Sequence, residues 1–211
     1  MDYEYKVKQI SSSYESCNVC GLSVINCICG KVSKVKTRSM IWILSTEREF
    51  HRPSNTARIL KLVNPVSTEI FLWERTKEPK KLIDNINDER YETYLLFPVE
   101  AEMQEGNKAE HKRAGKIPAY IIIDGTWKEA RKILRKSDYL NKLPTISLQP
   151  GFNSQYALRR GIEEGNLCTI EAAIEVLKRE NEIEDSICIK SAFDLFMKSY
   201  KASTCGHILK D

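Results

Sequence analysis

The sequence predicts an α/β protein built on a mostly parallel sheet with flanking helices, and three observations carry that expectation. Tyr120, Ile121, Ile122 and Ile123 form an apolar run without polar alternation, as in a strand covered on both faces. Strand-like and helix-like patterns alternate along the chain after residue 38. The apolar run then ends on a carboxylate and a glycine, Asp124-Gly125, before a basic helical pattern begins. A junction of that kind lies at the carboxyl end of a strand, where open α/β folds usually bind ligands.

The elements follow in order. Residues 1–16 are polar and Ser-rich and read as a flexible lead-in. A cysteine module occupies residues 17–37, and residues 38–211 form the remaining domain. Residues 40–45 are extended, 55–63 helical with Asn55 or Ser54 as cap, 69–73 extended and 80–90 helical. Residues 93–97 are extended and stop at Pro98. After the Tyr120 strand, Thr126 caps a helix running to about Lys136, and Glu129 reaches back to it in a capping box. Residues 145–148 are extended. An irregular stretch with Pro150, Gly151, Gly161 and Gly165 leads to two amphipathic helices, 170–179 and 186–201.

With 211 residues and 42% hydrophobic content, the chain can bury a full core. No apolar run approaches the ~20 residues that span a bilayer. The start, Met-Asp-Tyr-Glu-Tyr-Lys, lacks the basic and apolar segments of a secretory signal, so a cytoplasmic, reducing setting is expected. The net charge of +4 is unevenly spread. Residues 112–136 carry eight basic side chains against Asp124 and Glu129, whereas residues 163–185 carry eight acidic ones against Lys178 and Arg179. A solvated helix face explains many such charges. Cations gathered around Asp124 would also meet an approaching polyanion first.

Cys17, Cys20, Cys27 and Cys29 place four thiols within thirteen residues, with glycines after each pair at Gly21 and Gly30. Two short knuckles of this spacing suit a tetrahedral zinc ion; a redox pair or a local disulfide are the alternatives. Four cysteine ligands would leave no coordination position for water, so such a metal is structural. Cys168, Cys188 and Cys205 read as small core residues. His51, His111 and His207 form no triad or metal pattern, which disfavours Ser-His-Asp or Cys-His hydrolysis.

In a parallel sheet, loops at the carboxyl ends of several strands gather on one rim. Three stand out: Leu95-Leu96-Phe97-Pro98, Asp124-Gly125-Thr126-Trp127, and Leu167-Cys168-Thr169-Ile170-Glu171-Ala172-Ala173, with Thr169 as a cap. Apolar walls and backbone amides from such loops could hold a flat adenine. Trp127 suits equally a donor wall or a core anchor for its helix. Arg52-Pro53-Ser54-Asn55-Thr56-Ala57-Arg58 and Tyr156-Ala157-Leu158-Arg159-Arg160 read either as helix caps with solvated arginines or as anion clamps.

These segments in order make the chain similar to the DTW-domain proteins, the tRNA-uridine aminocarboxypropyltransferases, from Cys17 to about Leu177. The motifs are the cysteine knuckles, Arg52-Pro-Ser-Asn55-Thr56-Ala, Leu96-Phe97-Pro98, Asp124-Gly125-Thr126-Trp127-Lys-Glu-Ala130-Arg131, Tyr156-Ala-Leu-Arg159 and Leu167-Cys-Thr169-Ile-Glu171-Ala172. One departure stands out. Family members often carry His-Pro shortly before the glutamate matched to Glu49, where this chain has Thr46-Glu47, so no role for that histidine transfers.

The resemblance implies a SPOUT-like fold with a C-terminal trefoil knot. It also implies S-adenosylmethionine as donor, a 3-amino-3-carboxypropyl group moving to N3 of a tRNA uridine, and methylthioadenosine as by-product. Asp124 is the base expected to take the N3 proton. Leu96, Phe97, Pro98, Gly125, Thr126, Trp127, Leu167, Thr169 and Ala172 are expected around the donor, with Thr126 at its amino-acid end. Arg52, Asn55, Lys128, Arg131, Arg135 and Arg159 are expected to meet RNA, and the four cysteines zinc. The competing readings are a SPOUT-type RNA methyltransferase and a non-catalytic zinc-ribbon RNA-binding module. No membrane partner is expected, and the chain reads as a monomer or a homodimer.

Overall fold

A computed structural model describes residues 5–98, 115–148 and 167–209. Five strands form one sheet: β1 (Met40–Thr46), β2 (Thr68–Trp73), β3 (Tyr91–Leu96), β4 (Ile117–Asp124) and β5 (Thr145–Ile146). Their order is β2-β1-β4-β3-β5, and every neighbouring pair is parallel. The helices are α1 (Glu47–Phe50), α2 (Ala57–Val63), α3 (Lys80–Asn87), α4 (Trp127–Arg135), α5 (Asp138–Asn141), α6 (Thr169–Arg179) and α7 (Ile183–Thr204). The α/β architecture with a parallel sheet agrees with the sequence expectation.

Alternation along the strands sorts the core into two layers. Ile41, Ile43, Tyr94, Leu96, Tyr120 and Ile122 face one cluster, shared with α2, α6 and α7. Trp42, Leu44, Phe71, Trp73, Leu95 and Ile121 face the other, with Leu82 of α3, Ile133 of α4 and Leu140 of α5. The continuous apolar runs of β1 and β4 thus have a physical reason, since each face is covered by helices. Full burial of one such side chain contributes about 1.5–3 kcal/mol.

Strand order also locates a crevice. The chain leaves β1 toward β2 on one side, and leaves β4 toward β5 on the other. Ligands of open α/β sheets bind where neighbouring strands diverge in this way, beyond their carboxyl ends. Ser45 and Asp124 are register partners there. By alternation both point to the α2, α6 and α7 layer.

Several boundaries shift. α1 and α5, of four residues each, carry too little periodicity to read from sequence. β5 is two residues long rather than four, and α7 starts three residues before residue 186. Thr169 is the first residue of α6, not its cap. Cys168 precedes the helix instead, and its amide donates to Glu171 at 2.9 Å. The expected knot turns on the connection between β5 and α6, which runs through residues outside those described. Among the described residues no helix is long and apolar enough to cross a membrane.

The cysteine module docks between α7 and the segment before α2. Ser23 donates to Ser203 at 2.9 Å, and the Asn26 amide reaches the His207 carbonyl at 2.8 Å. Cys20, Leu22 and Ile28 are fully buried in the same core layer as α2, α6 and α7. On its other side, Gly21 (φ +82°) packs so closely on Pro53 that a Cβ would stand 2.6 Å from the Pro53 carbonyl oxygen. Gly21→Ala therefore combines a left-handed backbone with a collision against main chain. It should cost about 3 kcal/mol in urea unfolding, with the transition remaining cooperative.

Candidate active site

Asp124 ends β4 inside the protein, 4% exposed. A carboxylate there must be met by donors, because an unpaired buried charge is costly. Three hydroxyl or amide groups meet it. Ser45 Oγ donates to Oδ2 at 2.8 Å and Asn55 Nδ2 to the same oxygen at 2.7 Å, while Thr169 Oγ1 donates to Oδ1 at 2.7 Å. The donors come from the end of β1, the approach to α2 and the first turn of α6. Each oxygen can accept two hydrogen bonds, and among the described residues Oδ1 has a single donor.

Asn55 has a second task. Its Oδ1 accepts from the amides of Ala57 at 2.8 Å and Arg58 at 3.4 Å, while Nδ2 also reaches the Glu49 carbonyl at 3.2 Å. The cap position of α2 falls on Thr56, and Asn55, one residue earlier, is the side chain that meets the first amides of the helix. Sequence placed Asn55 among the RNA contacts; the structure places it 4% exposed, with its amide turned inward. Arg52 likewise turns to the buried carboxylate of Glu49 in an ion pair.

The three rim loops come together around Asp124. Phe97, just past β3, meets Trp127 edge to face, with ring centroids 5.9 Å apart. Both are half-buried, and Trp127 belongs to neither core layer. Leu96 is buried, Gly125, Leu167 and Ala172 are half-buried, and Pro98 is exposed.

Thr126 forms the expected capping box: its hydroxyl and amide both donate to Glu129 Oε2, at 2.7 and 2.8 Å, and Oγ1 accepts from the Glu129 amide at 3.3 Å. Its donors are thus committed to the helix start rather than held for a ligand's amino-acid end. Burial works to raise the Glu129 carboxyl, but the Thr126 hydroxyl and amide, with Arg52 and Arg48 nearby, outweigh it and leave the group below the ordinary carboxylate range. Burial pushes the Cys168 thiol well above the ordinary value, which disfavours a thiolate there.

A family model for the DTW domain matches residues 14–201. The chain belongs to the DTW-domain family. It is 29% identical over 166 residues to tRNA-uridine aminocarboxypropyltransferase 2 of Drosophila melanogaster, an alignment covering 76% of this chain and 64% of that protein. It is 31% identical over 70 residues to the protein of the same name from Macaca fascicularis, covering 32% of this chain and 24% of that one. The chain therefore spans less than two thirds of the curated relatives it matches. No solved structure is a significant match.

In this DTW domain the four module cysteines could hold a metal ion. Their sulfurs lie within 4.8 Å of one another, with Cys17 and Cys29, and Cys20 and Cys27, each 3.8 Å apart. A tetrahedron with metal–sulfur bonds of about 2.3 Å has edges of about 3.8 Å. The spacing is far too wide for disulfides, and all seven cysteines are free. Burial pushes the Cys20 thiol up to about 11 and raises Cys29 further, whereas backbone amides from Cys20 and Val19 overcome burial at Cys17 and lower it. A metal must therefore displace protons from at least two reluctant thiols, so its retention weakens as pH falls.

Lys128, Arg131 and Arg135 lie on one exposed stripe of α4, spaced three and four residues apart. Arg159 lies outside the described residues. Ser45 is the site residue that sequence reasoning missed, whereas Arg58 is read there as a solvated arginine or part of an anion clamp. Ser45 follows the apolar run of β1 as Asp124 follows that of β4, a parallel that was open to notice. Arg58 donates to the carbonyls of Asn18 at 3.1 Å, Val19 at 3.4 Å and Phe50 at 2.6 Å, tying the cysteine module to the segment that holds Asp124. Burial lowers its guanidinium, and the charges of Cys20, Asp124 and Cys17 pull the other way.

Proposed function

We propose that this DTW domain transfers the 3-amino-3-carboxypropyl group of S-adenosylmethionine to N3 of a uridine in tRNA. The observation that carries the reading is a buried carboxylate, fixed by three donors, at the crevice between β1 and β4 and beside the aromatic rim of Phe97 and Trp127. Family membership and the names of the two relatives support it. The donor supplies an electrophilic carbon beside a sulfonium, whose carbon–sulfur pair returns to sulfur as the N3–carbon bond forms, releasing methylthioadenosine.

Asp124 takes the N3 proton at Oδ1, the oxygen with a single donor among the described residues. Ser45, Asn55 and Thr169 hold the carboxylate in one orientation, so that alignment contributes alongside proton transfer. Leu96, Phe97, Pro98, Gly125, Trp127, Leu167 and Ala172 wall the donor, with Thr126 and Thr169 shaping the two helix starts around it. Cys17, Cys20, Cys27 and Cys29 hold zinc in a structural role. Lys128, Arg131, Arg135 and Arg159 meet tRNA phosphates, and Arg52 stands at the rim behind them. A cytoplasmic setting suits a tRNA-modifying reaction.

Incubation with unmodified tRNA and S-adenosylmethionine, followed by nucleoside mass analysis, tests the reading. A uridine heavier by one aminocarboxypropyl group is expected. One methyl instead would establish a methyltransferase, and no product with no donor binding would leave an RNA-binding module. Arg131→Glu with Arg135→Glu should weaken tRNA binding and make its log–log salt slope shallower by roughly 2. Filter binding across salt concentrations would show the parent's slope if α4 does not meet RNA.

A further inference from the structure

A second recess lies on the other side of Asp124 from the aromatic rim. It is a cavity of about 390 Å³ running along α2 toward β2. Ser45 and Asn55 form part of its wall, and both donate to Oδ2 of Asp124. A ligand in the cavity would sit one side chain away from the carboxylate. The volume falls in the range of small-molecule sites.

The walls carry two kinds of group. One is aromatic: Tyr5 and Phe50, stacked with centroids 4.7 Å apart and 23° between planes. The amino-terminal segment is fixed there by Lys8 donating to the His51 carbonyl at 2.9 Å and by buried Val7, whose amide donates to Asn18 at 3.2 Å. The other kind is cationic: Lys34, Arg58 and Lys61, with Arg58 reaching the Phe50 carbonyl at 2.6 Å. Lys34 donates to the Leu62 carbonyl, and Lys61 to those of Pro65 at 2.8 Å and Thr68 at 2.6 Å. Like those of Arg58, these acceptors are backbone carbonyls. None of the three cations forms an ion pair among the described residues, and no described acidic side chain lines the cavity, although the charges of Asp124 and Glu69 reach Arg58 and Lys61. The Arg58 Nε is buried without a hydrogen-bond partner among those residues.

Three cations held in place by backbone carbonyls beside an aromatic pair match an anion attached to a flat ring. Unstacked nucleotides are bound by that combination, aromatic rings taking the base and cations the phosphate. We propose that this cavity receives a single splayed-out nucleotide of the RNA acceptor, a neighbour of the reacting uridine, held on the β2 side of Asp124 while the donor approaches from the Phe97 and Trp127 side. The inference rests on the transfer reaction proposed above, and it adds where the acceptor enters.

The test uses the full chain and an unmodified tRNA transcript. Lys34→Glu with Lys61→Gln should raise the Kd for tRNA at least tenfold and lower the log–log salt slope by roughly 1 to 2. The Kd for S-adenosylmethionine and the thermal midpoint should not move. Lys34→Glu alone, at an exposed position, guards against a folding defect from Lys61 and should give part of the same loss. A transcript carrying 4-thiouridine, irradiated on the parent protein, should attach to peptides containing Tyr5 or Phe50. Parent-like affinity and slope in both variants, or attachment only to peptides elsewhere, would overturn the proposal. The two readings fail separately. Attachment at Phe50 without aminocarboxypropyl product would leave the cavity standing and remove the reaction, whereas product formation that both variants leave unchanged would remove the cavity alone.

Discussion

Asp124→Asn is expected to lower single-turnover rate by about a thousandfold, within the range for loss of a positioned base, while donor affinity and fold persist. The geometry makes this substitution unusually clean. The asparagine carbonyl oxygen can accept from Ser45 and Asn55 as Oδ2 does, and its amide can donate to Thr169 Oγ1, a hydroxyl that also accepts. Each of the three partners therefore keeps a hydrogen bond to residue 124, with the Thr169 hydroxyl turned from donor to acceptor, and the capacity to take a proton is lost. Asp124→Ala is the contrasting variant. It leaves three donors facing an empty interior, and at about 1–3 kcal/mol for each unsatisfied group it should destabilise by about 3 kcal/mol or more. Rapid-quench assays, titration calorimetry with the donor and urea unfolding separate the two variants. A rate within tenfold of the parent in Asp124→Asn would remove Asp124 as the base.

Removal of metal should have the largest effect on stability. Structural zinc in isolated modules contributes about 10 kcal/mol or more. Even loss of about 4 kcal/mol would lower the thermal midpoint by roughly 10 °C in a chain of this length. Emission spectrometry of the purified protein should give one zinc per chain, and chelation should proceed faster at pH 5 than at pH 8, because the thiols recover their protons as pH falls. Turnover should fall with the metal although four cysteines leave no position for substrate. The route is physical: the knuckle carbonyls of Asn18 and Val19 anchor Arg58, and Gly21 lies against Pro53, two residues from Asn55. Cys29→Ser, which removes one thiolate, should reproduce both losses. Unchanged melting after complete chelation would show that the module folds without metal.

The site was legible where chemistry and secondary structure share a residue. Asp124 is visible because a carboxylate ends an apolar strand, and the box of Thr126 with Glu129 because capping is local in sequence. The partners of Asp124 were harder to read. Ser45, Asn55 and Thr169 lie 79, 69 and 45 residues away, and only strand order brings them to one point. Asn55 and Thr169 were noticed as caps or loop residues, yet nothing local indicates that either turns toward a carboxylate. The short helices α1 and α5 escaped for a different reason, since one turn carries no measurable period. The cavity beside α2 depends on Tyr5, Phe50 and Lys61 meeting across three separate segments, which no linear pattern encodes.

The pairing of Ser45 with Asp124 bears on how the sheet assembles. Residues 41–44 of β1 and 120–123 of β4 are nonpolar to either side, so hydrophobic burial alone distinguishes poorly between the native alignment and one displaced by a single residue. A displaced β1 would still hide its greasy side chains, but it would turn Ser45 to the wrong face and strip Asp124 of a donor. The carboxylate thus penalises misaligned strands, and a chain that folds with its central strands out of step lacks the geometry for chemistry at the same stroke.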